Sequence, residues 1–282
     1  MKKLLAFGFV VSLLFSSMFA QFESENFIYP ERKYQFRFTH EDIIKQFQNS
    51  PDDQVMLDEK IKKLGNSPVI SEPEKSVDFD QIKTFAENGQ PEFQFMLGRC
   101  YANGTGTEKN MDEALKWYTA SADKGFYKAQ NNLAVMYMEG KGVEKNYEKA
   151  RFWLNKALEK NKTYPNLGLG IICIEESGDY KSALKYFKAA EKAGGNEVVS
   201  AYALIGKVYA DEESGMCNYK KAADYFTKAA NRGNVSCQYA LGEFYRDGLG
   251  VKKDLSEAKK WFKYASLNGD EDAQQALEEL EK

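Results

Sequence analysis

Histidine is almost missing from this chain. It has 282 residues and a single His, His40, which lies ahead of the part that repeats. A histidine-based catalytic triad or a multi-histidine metal site is therefore excluded from the largest part of the sequence. A charge excess is missing as well. Thirty-nine basic residues stand against 42 acidic ones, for a formal charge of -3, so there is no overall surplus of cations to track a phosphate backbone. Nucleic acid is not an expected partner. No Cys follows the N-terminal apolar run, which argues against lipidation there.

That apolar run, Leu4 to Phe15, follows Lys2 and Lys3 and precedes Ser16, Ser17 and Ala20. The order is that of a secretory signal, and residues 1–20 are read as one. Met18 stands where a small residue is preferred, so an uncleaved anchor is the alternative. The expected location is secreted or periplasmic, with membrane contact only through this segment.

Residues 21–75 form a separate N-terminal arm. Tyr34, Phe36 and Phe38 alternate with Lys33, Gln35 and Arg37, the period of a strand. A lone strand has no sheet to join. The segment reads either as an extended arm laid on the first helices or as an exposed adhesive stretch. Thr39 with Asp42, and Ser50-Pro51-Asp52-Asp53, carry the caps that start two short helices. Residues 66–75 hold two prolines and no periodicity, and read as a linker.

What is abundant is repetition. Leu97-Gly98-Arg99-Cys100-Tyr101 returns as Leu133 to Tyr137, Leu169 to Cys173, Ile205 to Tyr209 and Leu241 to Tyr245, each step 36 residues long. A fixed period of that size marks a solenoid, in which each unit buries its apolar face against its neighbours. The array is read over residues 76–282 as five full repeats with terminal half repeats. Each unit has two helices. The first carries a small residue, Leu, Gly or Ala, and Tyr on one face. The second carries Ala, an aromatic pair and a small residue, as in Ala114, Trp117, Tyr118 and Ser121. Paired glycines, Gly104/Gly106, Gly140/Gly142 and Gly248/Gly250, turn the chain between the two. Second helices should end at Gly125, Asn161, Gly194, Gly233 and Gly269, with Asn161 replacing glycine in a left-handed cap. Copy three has a turn three residues shorter, and copies three and four lack the glycine pair. Ala273 and Leu277 open a last first helix with an acidic outer face, Glu278, Glu279 and Glu281.

The pattern A-x3-LG-x2-Y, G-x-G-V, then A-x2-W-Y-x2-A-A and a closing G resembles Sel1-like repeats, relatives of tetratricopeptide repeats. Ala129 to Lys160 shows it best. The resemblance implies an all-α fold, a right-handed α-solenoid of Sel1-like helix-turn-helix repeats, and a protein or peptide partner rather than a catalytic role. No cofactor or metal site is expected. Secreted cysteine-rich members of the family are credited with β-lactam binding or hydrolysis and staple the two helices of each repeat. The regular cysteine pairing is absent here. Cys100 and Cys173 fall two units apart, and Cys217 and Cys237 at opposite ends of units, beyond the roughly 7 Å reach of a disulfide. Cys237 takes the place of a buried small residue.

By analogy with tetratricopeptide repeats, the concave face carries the residues two before and two and five after each repeat Leu. These are Phe95, Arg99 and Ala102; Asn131, Val135 and Met138; Leu167, Ile171 and Ile174; Ala203, Lys207 and Ala210; Tyr239, Glu243 and Arg246. The expectation is an exposed apolar strip in the middle, at Val135, Met138, Leu167, Ile171 and Ile174, with polar ends. Such a strip marks an interaction site. The alternative is that superhelical twist buries it. A passive envelope scaffold using the convex face or the arm is the second functional reading. An enzyme would have to be built from turn residues such as Ser177 with Asp179 or Glu175 with Glu176, which a solvated loop contains anyway.

Overall fold

A computed structural model describes residues 79–195 and 198–281. The expected signal segment, aromatic arm, two capped helices and linker lie outside the described residues. Within them there are twelve α-helices and no strand. They are α1 (Phe79–Glu87), α2 (Pro91–Asn103), α3 (Met111–Asp123), α4 (Tyr127–Glu139), α5 (Tyr147–Ala157), α6 (Tyr164–Ser177), α7 (Tyr180–Ala193), α8 (Val198–Ala210), α9 (Tyr219–Ala230), α10 (Val235–Asp247), α11 (Leu255–Leu267) and α12 (Glu271–Glu281). Even-numbered helices are the first of each unit and pack on the odd-numbered second helix that follows, which in turn packs on the next unit. The result is the all-α solenoid that the period implies.

Burial separates two layers. In α8, ten of thirteen residues are buried; in α7, only Ala183, Phe187 and Ala190 of fourteen. First helices therefore make the inner layer and second helices the outer one. The two are held close by missing side chains. A Cβ on Gly98 would lie 2.7 Å from the Tyr118 ring, one on Gly206 2.6 Å from Phe226, and one on Gly242 2.5 Å from Phe262. Unit two has Ala134 in place of glycine, and Leu154 stands at the sequence position that the aromatic holds in the other units. Small and large are matched inside each unit, as close packing requires.

The second helices start on a side-chain cap. Asn110, Asn146, Asp179, Asn218 and Asp254 each accept a backbone N–H of the first turn, which has no intrahelical partner. The backbone N–H of each cap also closes the hairpin. It donates to the carbonyl of the repeat Tyr in units one, two, four and five, at 2.7–2.8 Å. In unit three it donates to Cys173, the residue at the same position, at 3.0 Å. The deletion is thus absorbed in the turn, where Gly178 takes φ +64°, and the closure survives it. One expected cap is corrected. Asn161 has no left-handed backbone, since among the described residues only glycines have positive φ. Its side chain instead accepts from the N–H groups of Thr163 and Tyr164 and starts α6.

Neighbouring units are clamped by glutamines. Gln94, Gln130 and Gln238 are buried, and each amide donates to a carbonyl of the preceding second helix, on Ala86, Ala122 and Ala230, at 3.1–3.2 Å. Each sits three residues before its repeat Leu, so the signal was present at the repeat period.

Candidate partner-binding face

The inner face is built by α2, α4, α6, α8 and α10. Its middle is closed. Leu167 is 0 % and Ile171 7 % exposed, and Phe95, Asn131, Val135 and Met138 are buried with them. The expectation of an exposed apolar strip is therefore corrected: only Ile174 of that set is half-exposed. The cause is the close approach of consecutive first helices. Here α4 and α6 touch directly, and α6 lies close to both second helices beside it: a Cβ on Gly168 would stand 2.9 Å from the Leu154 methyl carbons of α5, and one on Gly170 would overlap the Phe187 ring of α7. Burying a Leu or Ile side chain stabilises by about 1.5–3 kcal/mol. Asp at Leu167 and Ile171 would put two charges into that core.

The N-terminal end is partly open. Phe95 packs against Phe126 and Tyr118, with ring centroids 5.3 and 5.8 Å away, and Arg99 lies 5.9 Å over its ring. Arg99 and Ala102 border a cavity of about 30 Å³ shared with Met111, Asn132, Val135 and Glu139, room for a water or two. Lys207 is half-exposed on α8, while Ala203 and Ala210 beside it are buried.

On α10 the structure brings three expected residues together at an accessible place. Tyr239, Glu243 and Arg246 are all half-exposed on successive turns. Arg246 grips Asp247 with two donors, Nη2 at 2.8 Å and Nε at 3.0 Å, and reaches Glu243 Oε1 at 3.5 Å. The Tyr239 hydroxyl donates to the same Glu243 oxygen at 3.5 Å. The hydrogen bond to Asp247 raises the Arg246 pKa further, and Glu243 adds to it. The guanidinium is thereby held charged and in one orientation.

The turn residues considered for catalysis all have structural partners. Ser177 Oγ donates to the Cys173 carbonyl at 3.0 Å, and Asp179 caps α7. Glu175 accepts from the Tyr147 hydroxyl at 2.8 Å and meets Lys145, while Glu176 pairs with Arg151. Among the described residues no three His, Cys, Asp or Glu side chains are grouped to hold a metal ion, and no helix is long and apolar enough to cross a membrane. Cys237 is fully buried, as its place in the repeat suggests, Cys217 is exposed, and all four thiols are free.

The comparisons with known proteins fit this geometry. No curated protein matches the sequence significantly. Among solved structures, a Sel1 repeat protein from Oxalobacter formigenes is 28% identical, with a TM-score of 0.59 over 72% of this chain and 58% of that one. A protective antigen of uropathogenic Escherichia coli with the SLR fold is 25% identical, with a TM-score of 0.61 over 86% of this chain and 51% of that one. The chain thus spans somewhat more than half the length of these two neighbours. A Sel1 repeat protein from Klebsiella pneumoniae, 20% identical, matches over all of its own length and 73% of this chain at a TM-score of 0.50, which speaks for the fold. The Sel1 repeat model, a family that generally serves protein–protein interaction, matches residues 91–126, 128–162, 168–195, 201–234 and 235–270. Those five matches cover more than half the chain, and the chain belongs to the Sel1 repeat family.

Proposed function

We propose that this chain is a non-catalytic adaptor of the cell envelope, or a secreted one, that binds a protein or peptide at the C-terminal end of its inner face. The observation that carries the reading is the Tyr239, Glu243 and Arg246 set on α10, half-exposed and mutually hydrogen-bonded where the middle of the same face is closed. Side chains already fixed lose little rotamer freedom on binding. Tyr and Arg are also the residues that dominate binding energy at interfaces. The export half of the reading rests on Lys2, Lys3 and the apolar run to Phe15.

A photo-crosslinking residue at position 239 or 246 should form an adduct with one partner in the intact envelope or secreted fraction, while the same residue at the buried position 171 should not. Tyr239→Phe, which keeps the ring packed on Phe262, and Arg246→Gln should each weaken that partner's binding several-fold or more, with unfolding temperature little changed. Unaltered binding by both variants, or retention of the full chain in the cytoplasm, would sink the proposal.

A further inference from the structure

The outer layer is uneven in charge. In α7, Lys181, Lys185, Lys188 and Lys192 stand at i, i+4, i+7 and i+11, a spacing that places all four on one helical face. All four are exposed, opposite Ala183, Phe187 and Ala190. The one acidic residue of the helix, Glu191, is half-buried and taken by Lys228 of α9 at 3.6 Å and by the Tyr225 hydroxyl at 3.3 Å. The stripe thus runs about 16 Å along the helix, and the carboxylate that meets it is that of the cap Asp179, beside Lys185.

Stability does not call for such a stripe. Like charges at i, i+4 destabilise a helix, and Lys181 sits in the first turn, at the positive end of the helix dipole. Helix α3 uses its outward face for opposite charges, Glu113 with Lys116 at 3.1 Å, and α11 pairs Glu257 with Lys260 at 3.1 Å beside Lys259 and Lys263. Around α7 the cations extend sideways instead. Lys149 and Lys156 are exposed on α5, and Lys220, Lys221 and Lys228 on α9. Phe152 lies among them on the outward side of α5, 51 % exposed, with the Lys156 ammonium 4.5 Å over its ring. These three helices carry ten cations against Glu148, Glu191 and Asp224, so a chain of net negative charge has a cationic excess on three adjacent outer helices.

The lysines are spread in two dimensions, along one helix and across three, on the outer side of the array. That arrangement fits an anionic plane, whereas a single polyanionic strand is held in a groove with stacking aromatics. Clustered lysines are drawn to anionic headgroups, and an exposed aromatic ring beside them seats at headgroup level. We propose that the outer face of α5, α7 and α9 docks on an anionic lipid surface, leaving the inner face free for its own partner.

The test is flotation of the full chain with vesicles of phosphatidylcholine alone or mixed with phosphatidylglycerol. Wild type should bind the anionic vesicles more tightly, and raising the salt should release this extra binding. Replacing Lys181, Lys185, Lys188 and Lys192 by Gln should weaken it about fivefold per lysine, several hundredfold in all, without lowering the unfolding temperature. The N-terminal segment is the same in both proteins, so the difference reads the stripe. Phe152→Ser should weaken vesicle binding and leave binding to a DNA duplex unchanged. Equal flotation of the Gln variant and wild type overturns the proposal, as does salt-insensitive binding. Binding to a DNA duplex or to polyglutamate without binding to anionic vesicles overturns it too, in favour of a soluble polyanion or an acidic protein.

Discussion

Junctions between units are closed in two ways, by glycine near the ends of the array and by tyrosine in its middle. The first residue of each second helix meets the turn of the following unit. Phe79 packs where a Cβ on Gly106 would lie 2.9 Å from it, Met111 stands likewise 2.7 Å from a Cβ on Gly142, and a Cβ on Gly250 would overlap the backbone of Tyr219 and Lys220. Units three and four have no second glycine. There the first residue of the preceding second helix is Tyr147 or Tyr180, whose hydroxyl donates to Glu175 or Asp211 at 2.8 Å. Leu255 holds the same position in α11, has no such turn after it among the described residues, and is 46 % exposed. A glycine turn closes a junction by letting its backbone lie directly on the start of the helix before it, a steric contact that neither salt nor pH can loosen. At a turn without it the junction is spanned by a long polar side chain whose bond can be titrated.

The sharpest way to break this comparison is Gly250→Ala. At φ +64° the substitution meets the left-handed penalty of about 1–2 kcal/mol and, in addition, an overlap with fixed backbone that overpacking puts at about 1–3 kcal/mol. Gly233→Ala is the reference, because Gly233 has φ +84° with nothing within 4 Å, so only the first cost applies. Denaturant unfolding should show Gly250→Ala losing clearly more than Gly233→Ala. Equal losses would mean that the second glycine of the turn is there for its backbone angle alone.

Within units, steric matching should hold in both regions. Gly242→Ala pushes on the Phe262 ring and should cost about 1–3 kcal/mol. Unit two combines Ala134 with Leu154 at the aromatic's position, so Phe262→Leu added to Gly242→Ala should recover part of the loss. A double variant as unstable as the two single losses combined would show that the pair is not coupled.

Capping gives a smaller effect and a control for the comparison, since both classes of unit keep it. Asn146→Ala in a glycine-turn unit and Asp179→Ala in the shortened one should each cost about 1 kcal/mol. A much larger loss at Asp179, measured the same way, would mean that the cap alone holds the short turn together.

The array was legible because a solenoid writes each packing contact once per period. Leu97 and its copies, the small residue beside them and the aromatic on the second helix recur in phase, and each is buried where the phase puts it. The inner face was less legible. Whether Leu167 and Ile171 line an open groove or a closed one depends on how near consecutive first helices come, and that distance is set between units, where Gly168 meets Leu154 of the preceding second helix. Periodicity names a face but not the width of the space before it. Tyr147 and Tyr180 were missed for a related reason. Each acts only because the following turn has lost its glycine, so its role is visible in a pair of units and not in one.

The smallest expected effect is the most specific to the central junctions. Burial first, and then the hydrogen bond to Asp211, push the Tyr180 hydroxyl up to about 12, from an ordinary value of 10.0. A phenol whose folded value lies above its unfolded one adds stability that is complete below about pH 10 and disappears as the pH rises through about 12. Tyr180→Phe keeps the ring and removes the bond, at a cost of about 1 kcal/mol or less at neutral pH. The chain has 17 tyrosines, so the total response to alkali is shared. The informative quantity is the difference between wild type and Tyr180→Phe, followed by urea unfolding from neutral pH to pH 12. That difference should be constant up to about pH 10 and then close. Gly142→Ala, at a junction where the helix starts on Met111 and offers no phenol, should keep its deficit over the same interval. A Tyr180→Phe difference that stays level to pH 12 would show that the hydroxyl and Asp211 do not hold the junction, and the division into glycine-closed and tyrosine-closed units would lose its physical basis.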